Sequence, residues 1–222
     1  MQKESRDTRN HIRHKQIETG LVQGSELPNK PGQVVPRIAK TAKHWEFLEV
    51  NPYADVVMIT IDAARRLVNE GETARSAFVD TLVIVSTTIP DEVLEEWYPE
   101  REIGVIRAFQ PDFYIPCDRP VYKKYSAAKR RDIISRYLDD LEHIADAIEE
   151  DQIEILPLVK GETPSERQKC YDRFESLGYD RYGYYCAQYF LYGYRGEQLV
   201  SDVHSIARES EATSLFLIGL QS

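Results

Sequence analysis

Segments with strand patterns and segments with helix patterns alternate along most of this chain, and the alternation limits the folds it can adopt. Short apolar runs, rich in β-branched and aromatic residues, predict strands. They cover residues 56–61, 82–85, 111–117, 153–159, 182–187 and 215–219. Strands separated by helices favour an α/β fold with a mostly parallel sheet.

The intervening segments carry helical spacing and helix-end signals. Apolar residues recur at helical intervals from Ile133 to Ile148 and predict one long amphipathic helix. The segment TPSE at 163–166 combines a capping box with proline in the first turn, and Gly178 is placed to end that helix. Further helices are predicted over residues 63–70, 91–98 and 198–209. The acids Glu95, Glu96, Glu100 and Glu102 are predicted to lie on a solvated face and connecting loop.

Chains of this kind form either a (β/α) barrel or an open doubly wound sheet. No GxGxxG or GxxxxGK[ST] motif follows a predicted strand, so the fingerprints of dinucleotide and nucleoside-triphosphate binding are missing from the sequence. We therefore expect an incomplete or partner-completed (β/α)8 TIM-type barrel that uses no cofactor.

The chain is predicted to form one domain preceded by an arm. Residues 1–36 are charged, rich in proline and without apolar periodicity, which predicts a flexible or peripheral arm. Residues 37–222 are long enough for a single α/β barrel-like domain, in a chain with 42% hydrophobic residues. Because no run of about 18 apolar residues occurs, we expect a soluble, cytoplasmic protein without a membrane partner.

The three cysteines indicate neither a disulfide framework nor a metal centre. Cys117, Cys170 and Cys186 are far apart and lack metal-ligand spacing. We expect reduced, mostly buried thiols and no metal.

The segment 111–122 ends a predicted buried strand with an acid, a base and a proline. Ligands of parallel α/β folds gather at the carboxyl ends of the strands. Asp118 is therefore the leading candidate for substrate binding.

A dense basic run follows directly after Asp118. It contains Lys123, Lys124, Lys129, Arg130 and Arg131. The chain as a whole has a net charge of -9, which argues against a general nucleic-acid coat protein. The run is predicted to be either a solvated surface or a phosphate contact beside the pocket, with Lys123, Lys124 and Arg130 as the nucleic-acid contacts.

Four segments, in order, resemble successive strands of the tRNA-guanine transglycosylase superfamily, with the branch that inserts 7-deazaguanine bases into DNA as the closer candidate. They are PDFYIPCDRP at 111–120, LPLVKGETP at 156–164, LGYDRYG at 177–183 and LFLIG at 215–219. The resemblance covers about residues 103–222. It implies a (β/α)8 barrel that exchanges guanine for a 7-deazaguanine base in DNA or tRNA.

The resemblance also implies roles for individual residues. Asp118 stands at the position of the aspartate that recognises the edge of the base, and a carboxylate can accept two parallel N–H bonds from it. Lys160 and Gly161 stand where the family has a Gln-Gly pair that contacts the base. Asp62 stands in the loop that supplies a general acid or base, although the family's glycines are missing there.

Two parts of the family's catalytic set have no counterpart in this sequence. The family's nucleophilic aspartate follows the strand that matches 215–219, and its zinc-binding cysteine set is missing. We therefore expect a split or shortened form that needs a second polypeptide to supply the nucleophile and complete the barrel.

Half of the chain's 14 tyrosines are concentrated between residues 179 and 194. They are Tyr179, Tyr182, Tyr184, Tyr185, Tyr189, Tyr192 and Tyr194. Packing of a barrel wall is one interpretation, and a stacking platform for a flipped base, with Tyr189 as a substrate-binding residue, is the other.

The sequence is also compatible with two other functions. One is a non-catalytic module that binds a purine-like ligand or a partner protein through the same strand ends. The other is an unrelated barrel enzyme that acts on a small metabolite, with Asp62 as the acid, Asp118 as the anchor and Lys160 as the electrophile or Schiff-base lysine.

Overall fold

The structure is a computed structural model that describes residues 34–39, 41–51, 54–190, 193 and 195–220. Most of the predicted arm, residues 1–33, lies outside the described residues, as do Tyr192 and Tyr194. Within the described ranges, no helix has both the length and the apolar character needed to cross a membrane.

In the described part of the chain, strands and helices alternate as the sequence predicts. The strands are β1 (Val56–Thr60), β2 (Leu82–Ser86), β3 (Phe113–Ile115), β4 (Glu154–Ile155), β5 (Arg181–Tyr185) and β6 (Ser214–Ile218). The α-helices are α1 (Ala42–Val50), α2 (Ile61–Asn69), α3 (Ala74–Ala77), α4 (Asp91–Leu94), α5 (Pro99–Phe109), α6 (Ala127–Ile148), α7 (Pro164–Ser176) and α8 (Gly196–Glu209). Short 3-10 turns cover Glu149–Asp151 and Ala187–Tyr189.

Every strand pairing among the described residues is parallel. Strands β1, β2, β3 and β4 form one sheet in that order, and β5 pairs with β6. The predicted α/β class and the mostly parallel sheet are therefore confirmed. The predicted barrel is a finer description, and it is taken up below as a proposal.

Two isolated parallel bridges continue the same order. Arg37 bridges to Met58 in β1, and Leu158 bridges to Gly183 in β5. At the second bridge, the Val159 N–H donates to the Gly183 carbonyl and the Gly183 N–H donates to the Pro157 carbonyl, both at 2.8 Å. Neighbouring strands thus follow chain order from residue 37 to β6, and their carboxyl ends share one edge.

Helix α5 is not among the predicted helices, and one predicted exposure on it is wrong. Glu95, Glu96 and Glu100 are exposed as expected, whereas Glu102 is only 2% exposed. The apolar residues Ile103, Val105, Ile106 and Phe109 pack α5 into the core, and Glu102 is buried with them. The first turn of α5 is rich in charged residues, as a solvated loop would be. Composition alone therefore does not show that one of its acids is buried.

Candidate ligand site at the carboxyl ends of the strands

Asp118 and Lys160 form an ion pair at the carboxyl ends of neighbouring strands. The Lys160 ammonium donates to the Asp118 carboxylate, and the two side chains are 8% (Lys160) and 12% (Asp118) exposed. The Lys160 nitrogen also lies 5.4 Å from the centre of the Tyr137 ring. Because β3 and β4 are neighbours, the fold brings together two predicted substrate-binding residues that are 42 positions apart.

The backbone of Asp118 is held by the end of β2. The Asp118 N–H donates to the Thr87 hydroxyl at 2.8 Å, and that hydroxyl donates to the Ile115 carbonyl at 3.0 Å. Thr87 is fully buried. The Asp118 carboxylate is therefore carried on a fixed backbone, as a preorganised binding group requires.

Glu102 holds the other side of the same loop. Its carboxylate accepts from the Cys117 N–H at 3.0 Å and from the Tyr114 hydroxyl. Cys117 has a φ of 43°, in the left-handed region that residues other than glycine seldom adopt. Burial raises the pKa of the Cys117 thiol well above its usual range, so the thiol stays protonated and is a poor nucleophile.

Glu102 should make the stability of the fold depend on pH. Burial raises its pKa from 4.5 to about 7, against the opposing hydrogen bonds from Tyr114 and Cys117. Between pH 4.5 and about 7, the folded state therefore binds more protons than the unfolded state. The stabilisation that Glu102 contributes below about pH 4.5 is lost as the pH rises through 7. The expected decline in the free energy of unfolding is on the order of 1–3 kcal/mol.

Glu102→Gln is the matched variant, because its amide oxygen still accepts from the Cys117 N–H and carries no charge. Urea denaturation at about pH 5 and about pH 8 should show the decline in the wild type and a smaller one in the variant. Equal declines in both proteins would show that Glu102 does not cause the effect.

The chain beyond Lys160 is tied to helices α6 and α7. Gly161 has a φ of 121°, and its backbone lies against Glu166. The buried Glu166 carboxylate accepts from Arg130 Nε at 3.0 and 3.1 Å, and from the Glu162 N–H at 3.0 Å. This buried pair fixes the loop that carries Lys160.

Asp62 makes no hydrogen bond to Asp118 or Lys160 among the described residues. It stands in the first turn of α2, where its carboxylate pairs with Arg65 and Arg66, each at 2.6 Å. Its side chain is 17% exposed. Its proposed catalytic role stays a prediction.

Tyr189 is buried and contacts residues of β5 and α8. Its hydroxyl donates to Asp202 at 2.5 Å and lies 2.6 Å from the Tyr184 hydroxyl. Tyr182 and Tyr184 are buried as well. These positions agree with wall packing as the role of these three rings, and substrate binding by Tyr189 stays a prediction.

The three predicted nucleic-acid contacts differ in their surroundings. Lys123 and Lys124 are exposed on the loop between β3 and α6. Arg130 is 13% exposed, pairs with Glu166 and donates to the Tyr125 carbonyl at 2.7 Å. The two lysines offer accessible charge, whereas the charge of Arg130 is compensated inside the fold. Contact with a nucleic acid stays a prediction for all three.

Two residues near this edge were not predicted as individual site residues, although Tyr185 belongs to the tyrosine cluster named above. Tyr185 ends β5, and it lies close enough to Asp118, Arg37 and Asp91 for their charges to act on its pKa, which burial raises. Its place at a strand end is a signal that could have identified it. Arg37 lies next to the predicted arm, and no sequence pattern marks it.

A cleft also lies at the opposite ends of the strands. A cavity of about 590 Å³ lies at the amino ends of β4 and β5, lined in part by Asp146, Glu154, Tyr179 and Arg181. We place the candidate site at Asp118 and Lys160 because this buried ion pair lies at the carboxyl ends of the strands, where ligands of parallel α/β folds bind. In the described ranges, no group of three or more His, Cys, Asp or Glu side chains is arranged to hold a metal ion.

A comparison with protein-family models and a search of curated proteins give no match for this chain. A function for the site has to be argued from its own residues.

Proposed function

We propose that the Asp118–Lys160 pair binds the edge of a guanine or 7-deazaguanine base. That edge presents a carbonyl oxygen beside two N–H donors, and the pair presents an ammonium donor beside a carboxylate with two acceptor oxygens. Adenine presents an amino group in place of the carbonyl and would set donor against donor at Lys160. The buried ammonium next to a carboxylate at the strand ends is the observation that carries the proposal.

The strand order supports a barrel as the finer description of the fold. Parallel strands follow chain order without reversal, as in a (β/α)8 barrel, whereas doubly wound sheets contain a reversal. Leu215, Phe216 and Leu217 of β6 are all only partly buried. We infer that a further strand packs beside β6 and completes the wall.

The proposed activity is transglycosylase-like base exchange in DNA or tRNA, by a split or shortened form of such an enzyme. The exchange needs a nucleophile at the anomeric carbon and a proton donor for the leaving base. Asp62 is the proposed proton donor, and the nucleophile is assigned to the partner chain. Lys123 and Lys124 support a nucleic-acid substrate, because they place exposed positive charge shortly after Asp118.

The position of Asp62 favours a second candidate, a non-catalytic module that binds the same base. Its carboxylate is engaged by two arginines of its own helix and makes no hydrogen bond to Asp118 or Lys160 among the described residues. In that case Asp62→Ala would leave base binding unchanged and no partner would confer exchange on the complex.

Calorimetric titration of the purified chain tests the proposal. Guanine and 7-deazaguanine should bind, and adenine should bind about tenfold more weakly or not at all. Asp118→Asn, which replaces one acceptor oxygen by a donor, should abolish guanine binding, whereas Lys169→Gln on the exposed face of α7 should not change it. A folded wild type without guanine binding would contradict the proposal.

A further inference from the structure

Arg37 lies in the segment that bridges to the middle of β1, and its side chain reaches the edge that carries the Asp118–Lys160 pair. Its guanidinium crosses toward the end of β2, where Nη2 donates to the Thr88 carbonyl at 2.7 Å. The guanidinium has further N–H donors, and the structure gives them no other partner among the described residues.

The surroundings of Arg37 differ from those of two more deeply buried arginines. Arg130 pairs with Glu166, and Arg167 pairs with Glu209 through two hydrogen bonds of 2.7 and 2.6 Å. Arg37 is exposed and has no carboxylate partner among the described residues, so its guanidinium is accessible to a ligand.

Two consecutive residues after β2 link Arg37 to the candidate site. The Thr88 carbonyl accepts from Arg37, and the Thr87 hydroxyl accepts from the Asp118 N–H. The Asp118 carboxylate is compensated by Lys160, whereas the Arg37 guanidinium keeps donors without a partner among the described residues. A cation with spare donors therefore lies at the end of β2, next to the residue that holds the Asp118 backbone.

We propose that Arg37 binds the phosphate of a nucleotide whose base is held by Asp118 and Lys160. Guanidinium donors match phosphate oxygens in geometry and charge, and the exposed Arg37 head group is accessible to a phosphate. The proposal rests on the base-binding function above and deepens it, because the ligand becomes a nucleotide unit rather than a free base.

Titrations with guanine, guanosine, guanosine 5′-monophosphate and inorganic phosphate test this assignment. In the wild type, the monophosphate should bind about tenfold more tightly than guanosine, and added salt should reduce that advantage. Arg37→Gln should remove the advantage and leave guanine binding unchanged. Arg208→Gln, the same charge change at an exposed position near the end of α8, should preserve it.

The outcomes separate this inference from the base-binding proposal. Guanine binding without any phosphate advantage, or an advantage that survives Arg37→Gln, would overturn the role of Arg37 alone. Phosphate binding that depends on Arg37, in a chain that binds no guanine, would support the anion site and contradict the base site. If neither guanine nor phosphate binds the folded wild type, both are wrong.

Discussion

Replacing Lys160 by methionine should lower the free energy of unfolding by about 3 kcal/mol. The variant leaves the Asp118 carboxylate, 12% exposed, without its cation. A buried charge that loses its partner cannot recover its hydration, so the cost exceeds the value of the pair itself. Urea denaturation measures the effect, and Lys169→Met, at an exposed lysine of α7, is the control that should change stability by less than about 0.5 kcal/mol.

The double variant Asp118→Leu with Lys160→Met separates stability from function. Apolar residues of similar volume often replace a buried ion pair at no cost, so the double variant should regain stability to within about 1 kcal/mol of the wild type. It should also lose all base binding. If Lys160→Met alone were as stable as the wild type, the pair would not be buried as the structure shows.

Gly161→Ala should destabilise the fold by about 3 kcal/mol or more. A Cβ at this position would lie 2.7 Å from Glu166 Cβ and 3.0 Å from the backbone nitrogen of Arg167. The φ of 121° is also unfavourable for any L residue with a side chain. Glu166 cannot move aside freely, because its carboxylate is held by Arg130 and by the Glu162 N–H. The strain falls on the loop that positions Lys160, so base affinity should fall as well.

Gly178→Ala is the matched control at the other end of α7. Its φ is 79°, but no atom lies within 4 Å of an added Cβ. The left-handed backbone alone should cost about 1 kcal/mol. Equal losses of stability for the two variants would mean that the contact with Glu166 adds nothing.

The alternation of strands and helices could be predicted from the sequence because burial imposes a regular spacing on apolar residues. Helix α7 is the clearest case, since Thr163 accepts from the Glu166 N–H at its start. Glu102 could not be placed in the same way. Glu102 is held in the core by Tyr114 and Cys117, and these contacts exist only in the folded chain.

The candidate site could be predicted in part. Asp118 and Lys160 each follow a strand pattern, and strands that are neighbours in a parallel sheet bring their ends together. The surroundings of Arg130 and Tyr189 could not be predicted, because Glu166 and Asp202 bind them only in the folded chain. Arg37 was not predicted because no run of apolar residues marks its segment as a strand. A single bridge pairs that segment with β1.

A crystal structure of the protein with bound 7-deazaguanine tests the central claim most directly. We predict the base at the carboxyl ends of β3 and β4, with its carbonyl oxygen about 2.9 Å from Lys160 Nζ and its two N–H groups at the Asp118 carboxylate. A base bound elsewhere, for example in the cleft at the amino ends of β4 and β5, with the Asp118–Lys160 pair unchanged, would contradict the account.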